Sequence, residues 1–243
     1  DASPAISGAE TDYLMEGLHF IMPGLALSTA DCMATIAGIR PVLSKGGAAA
    51  SQESREHVVW RDRGLITITG GKLTTFRLLA RDALKAAWAW LPPPLGPSRQ
   101  GSAFAPADSG SAALQSLPAD IRRRLSGRYG PAAGLVAENI ARPEQPESVP
   151  GTETLWAELA YAAKNEQVRH LRDLLLRRTR LGLICPGGGQ DLLERVQTVC
   201  RPHLDWDEQR WETEKRNYRK TWQRFYAPPA VSARDTKKKK KKP

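Results

Sequence analysis

No run of about 18 apolar residues occurs in the 243-residue chain, and its first residues lack the basic-then-apolar pattern of a secretory leader. Neither a spanning helix nor export is expected, and the chain reads as cytoplasmic. Cysteine is scarce: Cys32, Cys185 and Cys200 are far apart and odd in number, with no C-x-x-C spacing. A disulfide framework, a zinc knuckle and a redox dithiol are therefore not expected, and the thiols should be reduced. The four histidines, His19, His57, His170 and His203, show no metal-ligand spacing either, so no metal is expected. No strand-like segment leads into G-x-G-x-x-G, so the fingerprint for seating a dinucleotide pyrophosphate is missing. Acidic residues are outnumbered, and the formal net charge is +10. Six of those charges sit in the lysine run at 237–242, which leaves +4 for the rest and gives no groove-reading motif for specific nucleic-acid binding.

What is present centres on Arg63-Gly64-Leu65-Ile66-Thr67-Ile68-Thr69-Gly70-Gly71-Lys72-Leu73-Thr74-Thr75-Phe76-Arg77. Residues 65–69 alternate β-branched and apolar types with the period of a strand. From Leu73 the apolar positions shift to helical spacing through Phe76, Leu79, Ala83 and Ala87. The stretch is a strand, a glycine turn and a helix. Two adjacent glycines open backbone conformations closed to other residues and bare the main-chain N–H groups. A helix start favours negative charge, and Lys72 adds a full positive one. A nucleotide-hydrolase phosphate loop fails twice here, with Ile66 where glycine is required and Leu73 where Ser or Thr must follow the lysine. A tight strand-to-helix connection with a solvated lysine remains open on spacing alone.

With 41% hydrophobic residues the chain can build a core, and its length allows two domains. Residues 1–10 are rich in small polar types and read as a cut edge. An amphipathic helix is expected over 12–20, stopped by Pro23-Gly24. A strand over 34–39 should end at Arg40, whose backbone Pro41 biases towards extension. Residues 56–60 give a further strand, and Asp62-Arg63-Gly64 turns into the next, so Arg55 and Lys72 are expected on adjacent elements of an antiparallel sheet. The helix from Leu73 should run to about Trp90. The boundaries expected are 1–91 for a first domain, 92–117 for a Pro/Gly/Ser/Ala-rich linker, 118–226 for an all-α bundle and 227–243 for a disordered basic tail. Within the bundle, Gly182 and Pro186-Gly187-Gly188-Gly189 should end a helix and turn the chain. Trp206, Trp211 and Trp222 suit a core or an interface, and Arg169, Arg172, Arg177, Arg178 and Arg180 form a basic stripe whose simplest reading is a solvated face.

Ala37-Gly38-Ile39-Arg40-Pro41, then Ser54-Arg55-Glu56-His57, then Thr69-Gly70-Gly71-Lys72-Leu73-Thr74-Thr75-Phe76-Arg77 resemble, in order and spacing, the second half of the FAD-dependent, quinone-linked glycerol-3-phosphate dehydrogenases. Leu155-Trp156-Ala157-Glu158-Leu159 and Asp173-Leu174-Leu175-Leu176-Arg177-Arg178-Thr179-Arg180-Leu181-Gly182 resemble the helical C-terminal cap of that family. The resemblance implies an α+β fold: the antiparallel strand remnant of a D-amino-acid-oxidase-like substrate domain, followed by an all-α cap. It implies oxidation of glycerol 3-phosphate with FAD as cofactor and quinone as electron acceptor, with peripheral attachment to an anionic membrane surface. Arg40 and Arg55 would hold the phosphate, as a planar, always-charged fork suits. Lys72 would lie close to substrate and flavin as a catalytic cation beside Arg55, and Thr75 would touch substrate. Gly70, Gly71, Lys72, Leu73 and Thr74 would line the flavin. His57 as a general base competes with a packing role, and Thr75 with a helix cap. The family draws its ADP-binding fingerprint from an N-terminal half that this chain lacks, so the expectation is a C-terminal portion. A non-catalytic helical module docking a partner or membrane is the alternative.

Overall fold

The structure, a computed structural model, describes residues 4–39, 56–93 and 110–229. The chain divides into two compact units, Ile39–Ser102 and a larger one made of Asp1–Gly38 with Ala103–Pro243.

The larger unit opens with helix α1, Gly8–Ile21. Ser7 caps it: Glu10 N–H donates to Ser7 Oγ at 3.3 Å, and Ser7 N–H donates back to Glu10 Oε2 at 2.8 Å. This reciprocal cap starts the helix four residues ahead of the expected 12–20. The strand expected over 34–39 is not formed. The segment is extended but has no ladder, because Thr35 N–H is taken by the Tyr226 carbonyl at 2.8 Å rather than by a neighbouring strand.

In the smaller unit, strands β1 (Val58–Asp62) and β2 (Leu65–Thr69) form an antiparallel hairpin with Val58 opposite Thr69 and Asp62 opposite Leu65. The first strand starts two residues later than the expected 56. Arg63 and Gly64 both have positive φ, 45° and 84°, the conformation that matches a two-residue turn to the strand twist. Beyond β2 a 3₁₀ turn, Leu73–Thr75, leads into helix α2, Phe76–Ala87, and a second 3₁₀ turn ends at Trp90.

The rest of the larger unit is helical: α3 Ala112–Gln115, α4 Ala119–Tyr129, α5 Ala133–Ala137, α6 Trp156–Asn165, α7 Leu171–Asp173, α8 Leu181–Ile184, α9 Leu193–Cys200 and α10 Glu208–Phe225. Within the stretch expected as linker, α3 is packed, with Leu114 and Leu117 buried. Leu114, Leu125, Val136, Leu155 and Tyr161 form one apolar cluster around α3 to α6. Leu159, Leu174, Leu181, Val196, Trp211 and Trp222 anchor the other, around α6 to α10.

Helix α7 widens into a π turn over Leu174–Arg178, where both the Thr179 N–H (2.9 Å) and its hydroxyl (2.8 Å) donate to the Leu174 carbonyl. The chain then reverses at Arg180, in the left-handed region at φ 61°. Gly182 therefore does not end a helix, as its place in the sequence suggests, but lies inside α8. Its role is close packing: an added Cβ would run into the Tyr218 hydroxyl and stand 2.7 Å from Leu176 Cδ2. Gly187, Gly188 and Gly189 all take positive φ and turn the chain as expected. Two aromatic donors of α10 clamp this region, Tyr218 Oη to the Gly188 carbonyl at 2.5 Å and Trp222 Nε1 to the Gly182 carbonyl at 2.7 Å. Trp211 and Trp222 are thus core, while Trp206 is half-buried and meets Trp211 edge-to-face at 4.7 Å.

Candidate functional site

Gly70 and Gly71 continue β2 with φ of 79° and 85°, a pair of left-handed residues that strains any side chain. Space excludes one as well: a Cβ on Gly70 would stand 2.5 Å from the Glu56 carbonyl oxygen, and one on Gly71 3.0 Å from Leu79 Cδ1. The turn is therefore pinned between the start of the hairpin and α2. Lys72 is extended (φ −123°, ψ 151°), and Thr75 locks it from both sides. The Lys72 N–H donates to Thr75 Oγ1 at 3.3 Å, and that hydroxyl donates to the Lys72 carbonyl at 3.0 Å. Thr75 is thus a brace for the lysine backbone rather than a side-chain cap for α2.

This brace presents the Lys72 side chain, Leu73 and Thr74 outward; Leu73 is 90% exposed. Leu73 and Thr74 are the first residues of the helical turn, where backbone N–H groups have no intrahelical acceptor. An exposed lysine, the Leu73 and Thr74 N–H groups and the start of α2 follow one another there, a sequence of groups suited to an electron-rich or anionic ligand. His57 lies against the glycine pair and is engaged with α2: its Nε2 lies 3.0 Å from Asp82 Oδ2, its side chain is 16% exposed, and Lys85 Nζ is 3.8 Å from the same carboxylate. His57 joins the hairpin to α2.

Of the residues expected at the site, the fold brings Gly70, Gly71, Lys72, Leu73, Thr74 and Thr75 into one turn. Arg40 and Arg55 lie outside the described residues.

Sequence reasoning passed over two buried carboxylates in the helical unit. Glu158 has no exposure, and its Oε1 accepts from Arg124 (2.5 Å) and from Leu155 N–H (2.8 Å). Its Oε2 accepts from the Tyr129 hydroxyl (2.8 Å), with Arg128 Nε at 3.4 Å. Burial, and then the adjacent Glu158 charge, push the Tyr129 phenol well above its ordinary range. Glu214 accepts from His170 Nδ1 (3.0 Å), Arg210 (2.8 Å) and Leu171 N–H (3.0 Å). A lone acid in the apolar run Leu155-Trp156-Ala157-Glu158-Leu159-Ala160 was the available signal for the first. For the second, only the Arg210/Glu214 spacing on α10 is local, and its other partners, His170 and Leu171, lie some forty positions away.

Among the described residues no group of His, Cys, Asp and Glu could hold a metal ion, and no helix is long and apolar enough to cross a membrane.

A glycine-turn hairpin leading into a helix, with a separate all-α unit, defines a mixed α+β protein that is mostly helical. The family model described as the C-terminal domain of alpha-glycerophosphate oxidase matches residues 68–211, from the end of β2 into α10, and the chain belongs to that family. It is similar to "Glycerol-3-phosphate dehydrogenase 2" of Mycobacterium tuberculosis (strain ATCC 25618 / H37Rv), at 34% identity over 233 residues, 89% of this chain and 39% of the relative. "Glycerol-3-phosphate dehydrogenase" of Mycobacterium leprae (strain TN) is 33% identical over 84% of this chain and 37% of its own length. "Aerobic glycerol-3-phosphate dehydrogenase" of Staphylococcus aureus (strain NCTC 8325 / PS 47) is 29% identical over 73% of this chain and 35% of its own length. The chain thus spans about two fifths of the curated relatives it matches.

Proposed function

We propose that this chain is the C-terminal part of an FAD-dependent glycerol-3-phosphate dehydrogenase, oxidising glycerol 3-phosphate to dihydroxyacetone phosphate and passing electrons to quinone. The observation that carries the reading is the braced turn at 70–75, an exposed ammonium and bare N–H groups at the start of α2, in a chain similar to dehydrogenases of that name. The donor set fits a flavin: Leu73 and Thr74 N–H groups with Lys72 would hold its electron-rich edge, and the glycines keep side chains out of the approach. When bound, FAD supplies the hydride acceptor.

The chain's own residues do the rest. Arg40 and Arg55 would grip the phosphate dianion, and two guanidinium groups on one phosphate would orient the C2 carbon. Lys72, held by Thr75 through both its N–H and its carbonyl, would place its charge where negative charge grows during the reaction. In this reading residues 1–91 belong to the substrate domain, of D-amino-acid-oxidase type, 118–226 to the cap, and 92–117 link them. Attachment to the inner face of the cytoplasmic membrane is supported by the exposed cations Arg169, Arg172 and Arg180.

A second observation supports a larger enzyme. Among the described residues, large apolar side chains left exposed cluster at 13–39 and 60–91, including Phe20 at 88% and Trp88 at 60%, whereas the later helices expose only Leu135 and Ile184. We assign these exposed side chains, in each unit separately, to packing against the part of the relatives that this chain does not span.

The test is reconstitution. The purified chain should be colourless and should not reduce dye with glycerol 3-phosphate. A fusion placing the unmatched N-terminal part of the Mycobacterium tuberculosis relative ahead of Asp1 should be yellow and active. Stoichiometric FAD on the chain alone, or a yellow fusion without activity, would overturn the reading.

A further inference from the structure

The helical unit carries a second cluster of unused donors, remote in sequence from the turn at 70–75. Between the start of α7 and the middle of α10 lies a recess of about 250 Å³ lined by His170, Arg172, Glu214, Asn217, Tyr218, Lys220 and Thr221. Its one carboxylate is spent. Glu214, 4% exposed, takes Arg210 at 2.8 Å and His170 at 3.0 Å on one oxygen and Leu171 N–H at 3.0 Å on the other. Tyr218 is spent too, its hydroxyl donated inward to the Gly188 carbonyl. Arg210 balances the Glu214 charge, which leaves Arg172 and Lys220 uncompensated. Among the described residues neither has an ion-pair partner, and the Asn217 amide and Thr221 hydroxyl have no hydrogen-bond partner.

The spacing is set by the helix. Asn217, Lys220 and Thr221 stand three and four residues apart and so share one face of α10, while Arg172 comes from α7 across the recess. The exposed charge along this part of α10 is basic. No Asp or Glu occurs from Lys215 to Arg234, while Arg216, Arg219, Lys220 and Arg224 are exposed on α10. Lys220 also borders an adjoining recess of about 450 Å³ with Arg219 and Arg224. Among the described residues the one buried cation, Lys215, is satisfied by Glu194 at 2.7 Å and Glu212 at 3.0 Å, so it takes no part.

We propose that this recess between α7 and α10 is an oxyanion site that takes a phosphate group, separate from the substrate site proposed at 70–75. A guanidinium fork, an ammonium, an amide and a hydroxyl supply more donors than one carboxylate can accept but suit a tetrahedral anion with three free oxygens. The phosphate can come from free phosphate and its monoesters or from a lipid headgroup, and the two sources present the same chemistry.

The experiment uses the full chain and inorganic phosphate as the probe, at constant ionic strength, read by amide chemical shifts in ¹H–¹⁵N spectra. Shifts at His170, Arg172, Asn217, Lys220 and Thr221, weakened about ten-fold or more in apparent affinity by Arg172→Ala with Lys220→Ala, support the site. Shifts confined to residues 70–75 and the lysine run, or a double variant that binds as well as the parent, overturn it. Both side chains are exposed, so the variants should fold, and unchanged spectra elsewhere check this. Flotation on phosphatidylcholine vesicles with and without phosphatidylglycerol separates the sources. Binding to the anionic vesicles that the double variant loses assigns the anion to a headgroup. Binding that it keeps, or none by either protein, assigns the site to free phosphate. This result is independent of the flavin reconstitution, since the two use different residues and readouts.

Discussion

Replacing Glu158 with Gln should destabilise the helical unit more than any surface change, and the structure sets the size. The carboxylate has no exposure and serves four donors drawn from α4 and from the start of α6: Arg124, Arg128, Tyr129 and Leu155 N–H. Glutamine keeps one acceptor oxygen for Arg124 and Leu155 but turns an NH₂ towards the Tyr129 hydroxyl and Arg128, where donors already point. Removing one member of a buried ion pair costs about 3–5 kcal/mol where the partner stays trapped. Here Arg124 and Arg128 are 22% and 36% exposed and can regain some water, which discounts the figure to about 2–4 kcal/mol. For a chain of this length that is a fall in melting temperature of about 5–15 °C. Urea unfolding followed by far-UV circular dichroism, which the helices dominate, measures it directly. Tyr129→Phe should cost less, about 1–2 kcal/mol, because the ion pairs survive. A loss below about 0.5 kcal/mol for Glu158→Gln would show that the cluster behaves as a surface pair and refute the reasoning.

Gly182→Ala should cost about 1–3 kcal/mol in the same assay, since the added methyl displaces the Tyr218 hydroxyl and breaks its bond to Gly188. Gly188→Ala should cost at least as much, its Cβ 2.5 Å from the Trp222 ring at φ 73°; wild-type stability in either would place the aromatic clamp elsewhere. Burial pushes the Cys200 thiol up to about 12 and raises Cys185 as well, so brief iodoacetamide treatment of the native chain should alkylate half-exposed Cys32 first. These thiols keep in the fold a proton that the unfolded chain releases from about pH 8.5, so melting temperature should fall as pH rises from there towards 12; a flat profile would count against it. In a complete enzyme carrying this half, Lys72→Ala should lower kcat by about 10- to 1,000-fold, and unchanged steady-state kinetics would remove the role proposed for it.

The sequence by itself determined most of the local architecture. The alternation over 65–69, the Arg63-Gly64 turn and the shift to helical spacing at Leu73 produce β1, β2 and α2, because strand and helix periods are written in neighbouring residues. Pro23-Gly24 stops α1, and the triple glycine turns the chain, for the same reason: backbone conformations available to Gly and forbidden by Pro need no distant partner. Tertiary structure decided what depends on partners far along the chain. Residues 34–39 have the extended backbone of a strand but bond to Tyr226 instead of a sheet. Gly182 looks like a helix end and is a close contact with Tyr218 and Leu176. Thr75 could have capped α2 but braces Lys72, and His57 could have faced a substrate but is held by Asp82. Arg172 and Lys220 show the limit most plainly. Each alone is one basic residue among 36, and only the packing of α7 against α10, with Glu214 already committed to Arg210, makes both line one recess.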